Sequence, residues 1–255
     1  MLILVDVGNT NILFGIVENN EITNTYRLIT DLHGTKEYYK EKINNYLVFK
    51  KVDNNSLEGV IISSVVPLLD KIFNEIFEED YNVKPIMCTP YLKSNILVNE
   101  CNKDELGSDL YCDAVGGYKK YQDPLIIVDL GTATKFIIVD SQGELKGIVI
   151  SPGLQGSLNG LISSTSKLPK VNLNAPETVL GTNTIECIQI GVVTGHICMI
   201  EGMVNKIKKE LKESCTKVLL TGGNAPIIKD LLSIAYYDEP NLVLEGLLEL
   251  YLQNK

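Results

Sequence analysis

"LILVDVGNTNILFGIVENNEI", residues 2–22, sets the fold of this chain, because its pattern recurs. An apolar run breaks at Asp6, crosses Gly8-Asn9-Thr10, and becomes apolar again. "LIIVDLGTATKFIIVDSQGEL", residues 125–145, repeats it 123 residues downstream without a gap. Asp6 coincides with Asp129, Gly8 with Gly131 and Glu21 with Glu144, and the polar turns at 18–20 and 141–143 also match. Apolar β-branched runs of this length read as buried strands, so each copy begins strand–turn–strand. Two such units imply duplicated α/β domains with a cleft between them.

Working outward, residues 22–28 extend the first copy as a third strand, and a helix is expected over 35–50. "LEGVIISSVVP" (57–67) reads as a buried strand, followed by a helix near 68–79 and a further strand at "NVKPIMCTP". Residues 105–121 have helical spacing, with Gly107 and Ser108 near the start. In the second half, "SPGLQGSLNGLISSTSKLPK" reads as a loop around a short helix, and 184–213 as one long helix. The glycines of that helix, Gly191, Gly195 and Gly202, predict close approach of another helix. "TKVLLTGGNAPIIKDLL" is strand, glycine turn and helix, and "NLVLEGLLELYLQ" is a C-terminal amphipathic helix.

The 255 residues can bury a sizeable core, and 45% hydrophobic with 22% charged residues is a soluble globular balance. No apolar run approaches the roughly 18 residues of a membrane span, and Asp6 interrupts any signal-like segment. A cytoplasmic protein with no membrane partner is therefore expected. The formal net charge of −9 argues against a nucleic-acid partner, whose phosphates need clustered Lys and Arg. Six cysteines without a CxxC read as reduced core thiols, and the two histidines, His33 and His196, have no metal-ligand spacing.

The duplicated hairpin carries the chemistry. A glycine after the strand lets backbone N–H groups approach an anion without a Cβ in the way. Asn9, Thr10, Thr132 and Thr134 can donate further hydrogen bonds. Asp6 and Asp129 would repel phosphate directly, so they require a cation between, as in a nucleotide held with Mg²⁺. Thr221-Gly222-Gly223-Asn224, between strand and helix, suits an anion or a nucleotide sugar. Neither a Rossmann glycine fingerprint nor a P-loop occurs. Phosphoryl transfer also needs a group to orient the acceptor hydroxyl. Asp109 and Asp113, one turn apart, both qualify by spacing.

These motifs, in order, resemble type III pantothenate kinases: Asp6-Val7-Gly8-Asn9-Thr10, Leu106-Gly107-Ser108-Asp109, Asp129-Leu130-Gly131-Thr132-Ala133-Thr134, Ser151-Pro152-Gly153, Lys167-Leu168-Pro169, Gly181-Thr182-Asn183-Thr184 and Thr221-Gly222-Gly223. The resemblance implies α/β architecture with two duplicated actin-like (ribonuclease H-like) domains, 1–121 and 122–255, around a nucleotide cleft. It also implies ATP-dependent conversion of pantothenate to 4′-phosphopantothenate, the first step toward coenzyme A, by a homodimer using Mg²⁺ and a monovalent cation (K⁺ or NH₄⁺). By position it gives the ATP-phosphate loop to Asp6, Val7, Gly8, Asn9, Thr10, Asn11, Ile12 and Leu13, and a second nucleotide contact to Thr132. Asp6 would serve Mg²⁺ and Asp129 the monovalent cation. Asp109 becomes the general base, in preference to Asp113. Gly107, Ser108, Asp109, Leu110 and Thr184 would contact pantothenate. Four positions depart from the family: Leu110 stands where an arginine is usual, Glu100 for a tyrosine, Lys135 for a threonine, and Lys146-Gly147 for Gly-Gly. The departures leave two alternatives, a nucleotide-binding paralogue with weakened or no catalysis and a kinase for another small hydroxyl acceptor.

Overall fold

The computed structural model describes residues 1–49, 57–99, 103–165, 168–169, 171–213 and 215–255; Glu100, Cys101 and Lys167 lie outside them. The chain divides into two compact units, Met1–Lys119 with Leu242–Lys255, and Lys120–Asn241.

In the first unit, β1 (Leu2–Val7), β2 (Asn11–Glu18), β3 (Glu21–Ile29), β4 (Gly59–Ser64) and β5 (Ile86–Met87) form a sheet in the order β3-β2-β1-β4-β5. The hairpin pairs are antiparallel, and β1–β4 and β4–β5 are parallel. Successive side chains alternate faces along a strand. Ile3, Val5 and Val7 therefore join a core with Tyr39 and Ile43 of α1 (Lys36–Phe49) and Leu69 and Phe73 of α2 (Pro67–Glu75). Asp6 falls on the other face, beside Ser63 of β4, whose hydroxyl also meets Ser108 at the start of α3 (Ser108–Tyr121).

The second unit repeats the topology. Strands β6 (Leu125–Leu130), β7 (Ala133–Val139), β8 (Leu145–Pro152), β9 (Lys217–Thr221) and β10 (Tyr237–Asp238) run β10-β9-β6-β7-β8, with the same parallel and antiparallel pairings. Ile126, Val128 and Leu130 pack with Leu154 and Leu158 of α4 (Leu154–Ser163) and with Val193, Ile200 and Val204 of the long helix. Asp129 again points to the opposite face.

The ungapped repeat conceals two offsetting differences. Asp6 pairs with Leu13 across its hairpin, whereas Asp129 pairs with Lys135, so the second hairpin is one residue tighter. The following turn restores the count, since Ile16 faces Asn24 while Ile138 faces Gly147. The middle strands are thus one residue out of step with the sequence alignment.

Several expectations change. The last helix, α8 (Leu242–Asn254), expected to close the second domain, packs on β1 and β4 of the first. Its apolar side, Leu242, Leu244, Leu247 and Leu250, needs a sheet face to cover, and Gly246 lies against Cys112 of α3. The strand expected near 82–90 is only the two residues of β5. The long helix is α5 (Thr184–Gln189), a π-helical turn (Ile190–Thr194) and α6 (Gly195–Leu211). A Cβ at Gly191, Gly195 or Gly202 would meet nothing within 4 Å, so among the described residues no helix uses those glycines for close approach. Residues Thr184–Leu211 are also long and apolar enough to span a membrane, which the sequence reading did not anticipate. Val192, Val193, Ile197, Ile200 and Val204 of this segment are instead core residues of the second unit. Of the cysteines, Cys88 and Cys112 are buried thiols, but Cys187, Cys198 and Cys215 are exposed. A short α7 (Ala225–Ile228) follows the third glycine turn.

Candidate active site

In the first unit the chain leaves β1 at Val7 and turns through Gly8 to Asn11. The Gly8 N–H donates to the Asn11 carbonyl at 3.0 Å, and a Cβ on Gly8 would stand 2.9 Å from that oxygen. Thr30, just beyond β3, ties the loop down. Its hydroxyl donates to the Gly8 carbonyl at 2.7 Å and its N–H to the Thr10 carbonyl at 3.0 Å. Asn9 and Thr10 remain exposed, as a phosphate loop requires.

Asp6 sits beside Ser63, its parallel register partner on β4, whose hydroxyl donates to Asp6 Oδ1 at 3.0 Å. Ser63 Oγ lies 3.0 Å from Ser108 Oγ, which accepts the Ser64 N–H at 3.0 Å. The hydroxyl chain links the end of β1 to the first residue of α3. The next residue, Asp109, accepts the Leu110 N–H at 2.8 Å and is partly exposed. A carboxylate in a helix's first turn is stabilised by the unsatisfied N–H groups there. Gly107 makes room for it, since a Cβ there would lie 2.7 Å from Asp109 Oδ1. Asp113, the rival by spacing, is only 3% exposed inside the unit. Burial thus agrees with Asp109 as the group able to reach a substrate.

Leu110 is buried too, so its side chain packs, and its backbone N–H is the atom that serves Asp109. Beside Gly107 lies a hollow of 370 Å³, whose walls include Ser64, Cys88, Tyr91, Lys103, Asp104 and Glu105. Lys103 Nζ stands 5.4 Å from the centroid of the Tyr91 ring, within cation–π range.

In the second unit three glycine motifs meet at the Gly131-Thr132 turn. A Cβ on Gly153 would come within 2.5 Å of the Thr132 carbonyl oxygen. Asn224 donates from its side chain to the Gly131 carbonyl at 2.8 Å and from its backbone to the Leu130 carbonyl at 2.9 Å. Gly222, with φ +95°, runs against Asp129. Thr132 itself is exposed. Lys135 places Nζ 2.6 Å from Asp129 Oδ2, with the two side chains only 15% and 13% exposed. Lys146 faces water, beside Glu144 at 3.1 Å.

Thr184 lies exposed at the start of α5, where Asn183 caps the helix by accepting the Glu186 N–H at 3.1 Å. It opens on a larger hollow of 970 Å³ bordered by Ser151, Leu161, Cys187, His196 and Met199. His196 Nε2 is 2.8 Å from the buried Thr134 hydroxyl, and burial pushes the His196 pKa down, favouring the neutral ring.

Ser63 and the contacts of Asn224, Lys103 and Lys135 escaped the sequence reading. The small polar pair Ser63-Ser64 ending an otherwise apolar strand was the available signal for Ser63. The others depend on tertiary neighbours.

Duplicated five-stranded sheets of one topology, each ending its first strand in Asp-x-Gly, make this an α/β protein of the actin-like fold class. Solved structures with this fold include a putative Baf family transcriptional activator from Campylobacter jejuni, at TM-score 0.58 and 18% identity, covering 97% of this chain and 96% of that one. Component A of (R)-2-hydroxyglutaryl-CoA dehydratase from Acidaminococcus fermentans aligns at TM-score 0.55 and 15% identity, over 98% and 96% of the two chains. At these identities the likeness extends to the fold alone. Within the class, the profile of the type III pantothenate kinase family matches residues 2–206. Type III pantothenate kinases of Acholeplasma laidlawii and an Exiguobacterium species are 39% and 35% identical, covering 100% of this chain and 99% and 100% of theirs. The chain belongs to the type III pantothenate kinase family.

Proposed function

We propose that the chain transfers the γ-phosphoryl group of ATP to pantothenate, forming 4′-phosphopantothenate, the first step toward coenzyme A, in the cytoplasm. The observation carrying this reading is Asp109: a partly exposed carboxylate at a helix start, joined through Ser108 and Ser63 to Asp6 on the strand that opens the phosphate loop. Because the phosphoryl-transfer transition state is loose, catalysis rests on positioning and charge compensation. Asp109 orients the acceptor hydroxyl and takes its proton as the new O–P bond forms. Asn9 and Thr10, in the turn that Gly8 makes possible and ahead of Asn11, Ile12 and Leu13, offer backbone and side-chain donors to the ATP phosphates. Thr132, exposed in the second unit, is in this reading a further nucleotide contact.

No cluster of three or more His, Cys, Asp or Glu side chains suited to a metal occurs among the described residues. Mg²⁺ bound with nucleotide needs only one or two carboxylates beside the phosphates, and Asp6 fits that role. When bound, Mg²⁺ would neutralise charge on the phosphates. A free monovalent cation does not fit Asp129, which already carries the Lys135 ammonium.

Lys103 supports pantothenate as the acceptor. Among the charged residues lining the hollow beside Gly107, Lys103 is the cation, next to Asp104 and Glu105, and it is the group there able to meet the carboxylate of the substrate where Leu110 cannot. Thr184 is a second contact in this reading, and the exposed apolar residues beside it, Val179, Leu180 and Ile185, support a homodimer.

Incubating the protein with Mg-ATP and pantothenate and following 4′-phosphopantothenate by mass tests the reading. Product formation is expected. ATP binding with no product under any cation would overturn it in favour of a non-catalytic nucleotide-binding paralogue, and turnover with another small alcohol alone would point to a different acceptor.

A further inference from the structure

We infer that the Lys135 ammonium is a built-in monovalent cation, serving Asp129 in place of a dissociable K⁺ or NH₄⁺, so that this enzyme works without either ion. The inference deepens the functional reading above and rests on it for the role of Asp129.

Four observations carry it. Asp129 and Lys135 are direct cross-strand partners, β6 to β7, so their side chains leave the sheet on the same face by construction. The ammonium is 2.6 Å from Oδ2, a charge-assisted hydrogen-bonding distance, and both side chains are largely withdrawn from water. The other carboxylate oxygen is backed by Gly222, where a Cβ would lie 2.5 Å from Oδ1. A second cation would therefore meet a crowded carboxylate and a like charge already on it. Finally, the hairpin architecture does not demand a lysine. The equivalent position opposite Asp6 is Leu13, so the charge belongs to Asp129 and not to the turn.

An ammonium on a side chain has the charge of K⁺ and the chemistry of NH₄⁺. Being tethered, it is present at high effective concentration whatever the salt. Its three N–H donors can hold Asp129 while keeping the positive charge beside the Gly131-Thr132 turn.

Pantothenate phosphorylation measured with Mg²⁺ and tetramethylammonium as the only added cations tests this directly. The native protein is expected to run within about twofold of its rate in saturating K⁺, a difference under ~0.5 kcal/mol. Lys135→Thr, and Lys135→Met as a variant that keeps the apolar stem, should lose about 10-fold without K⁺, the loss expected for a charge-assisted contact. K⁺ or NH₄⁺ should restore Lys135→Thr. Calorimetry of a non-hydrolysable ATP analogue, and thallium(I) NMR, provide readouts independent of turnover. Saturable thallium binding is expected for Lys135→Thr and absent from the native protein. A native enzyme that needs K⁺ or NH₄⁺, or variants fully active without either, would overturn the inference. If no pantothenate is phosphorylated under any cation, the functional reading fails, and thallium binding alone decides this one: saturable binding to the native protein sinks it.

Discussion

Gly222 runs so close to Asp129 that a Cβ on it would stand 2.5 Å from the carboxylate and 2.5 Å from the Leu130 nitrogen. Its φ of +95° lies where side-chain-bearing residues are strained. Gly222→Ala is therefore expected to cost about 1–3 kcal/mol from the backbone conformation alone, with the contact adding to it. A fall in the thermal midpoint with a disproportionate loss of nucleotide binding is the expected result; an unchanged midpoint would contradict the geometry.

Asp109→Asn keeps the shape of the site and removes the base. General-base catalysis contributes typically 10²–10⁴-fold, so kcat should drop by at least about 100-fold. ATP-analogue binding should be unaffected. Asp113→Asn, by contrast, alters a buried position and should act chiefly on stability.

Lys103→Ala should raise KM for pantothenate by about 10- to 150-fold, the range for losing a hydrogen bond to a charged group, while kcat changes little. Steady-state kinetics at saturating ATP separate the two constants. Pantethine, which lacks the carboxylate, should not discriminate between native and variant protein.

Gly246→Ala probes the return of the chain to the first unit. Its Cβ would stand 1.9 Å from the Cys112 carbonyl oxygen, so α8 must shift off α3. Overpacking of this kind costs about 1–3 kcal/mol, and the denaturant midpoint should fall accordingly. Removing 242–255 should unfold the first unit, because Leu242, Leu244, Leu247 and Leu250 are wholly buried.

His196 gives a pH dependence. Burial lowers its folded pKa, so the unfolded chain binds the proton more readily. Its contribution is present above the unfolded value of about 6.5 and is lost as pH falls from there through the folded value. Urea midpoints should therefore drop between about pH 7 and pH 5.5 more in the native protein than in His196→Gln.

The sequence was most legible where period and punctuation coincide. Asp6-Val7-Gly8 and Asp129-Leu130-Gly131 each end an apolar strand, and both hairpins stand where that pattern puts them. The register of the middle strands was not legible, because a deletion at one turn and an insertion at the next cancel in the sequence count. The allegiance of α8 was equally hidden. An amphipathic helix declares that it has an apolar side but not which sheet will cover it.

By itself the sequence determined the duplicated strand–turn–strand units, the two aspartates and glycines at their ends, and the family motifs along the chain. These are local properties: a two-residue period, a glycine where a Cβ would not fit, a carboxylate at a helix start. Only the tertiary structure decided that Ser63 bridges Asp6 to Ser108, that Leu110 is buried, and that Lys135 lies on Asp129 instead of in water. Those relations join residues brought side by side by strand pairing or helix packing, and a shift of one position in register would have turned Lys135 to the other face.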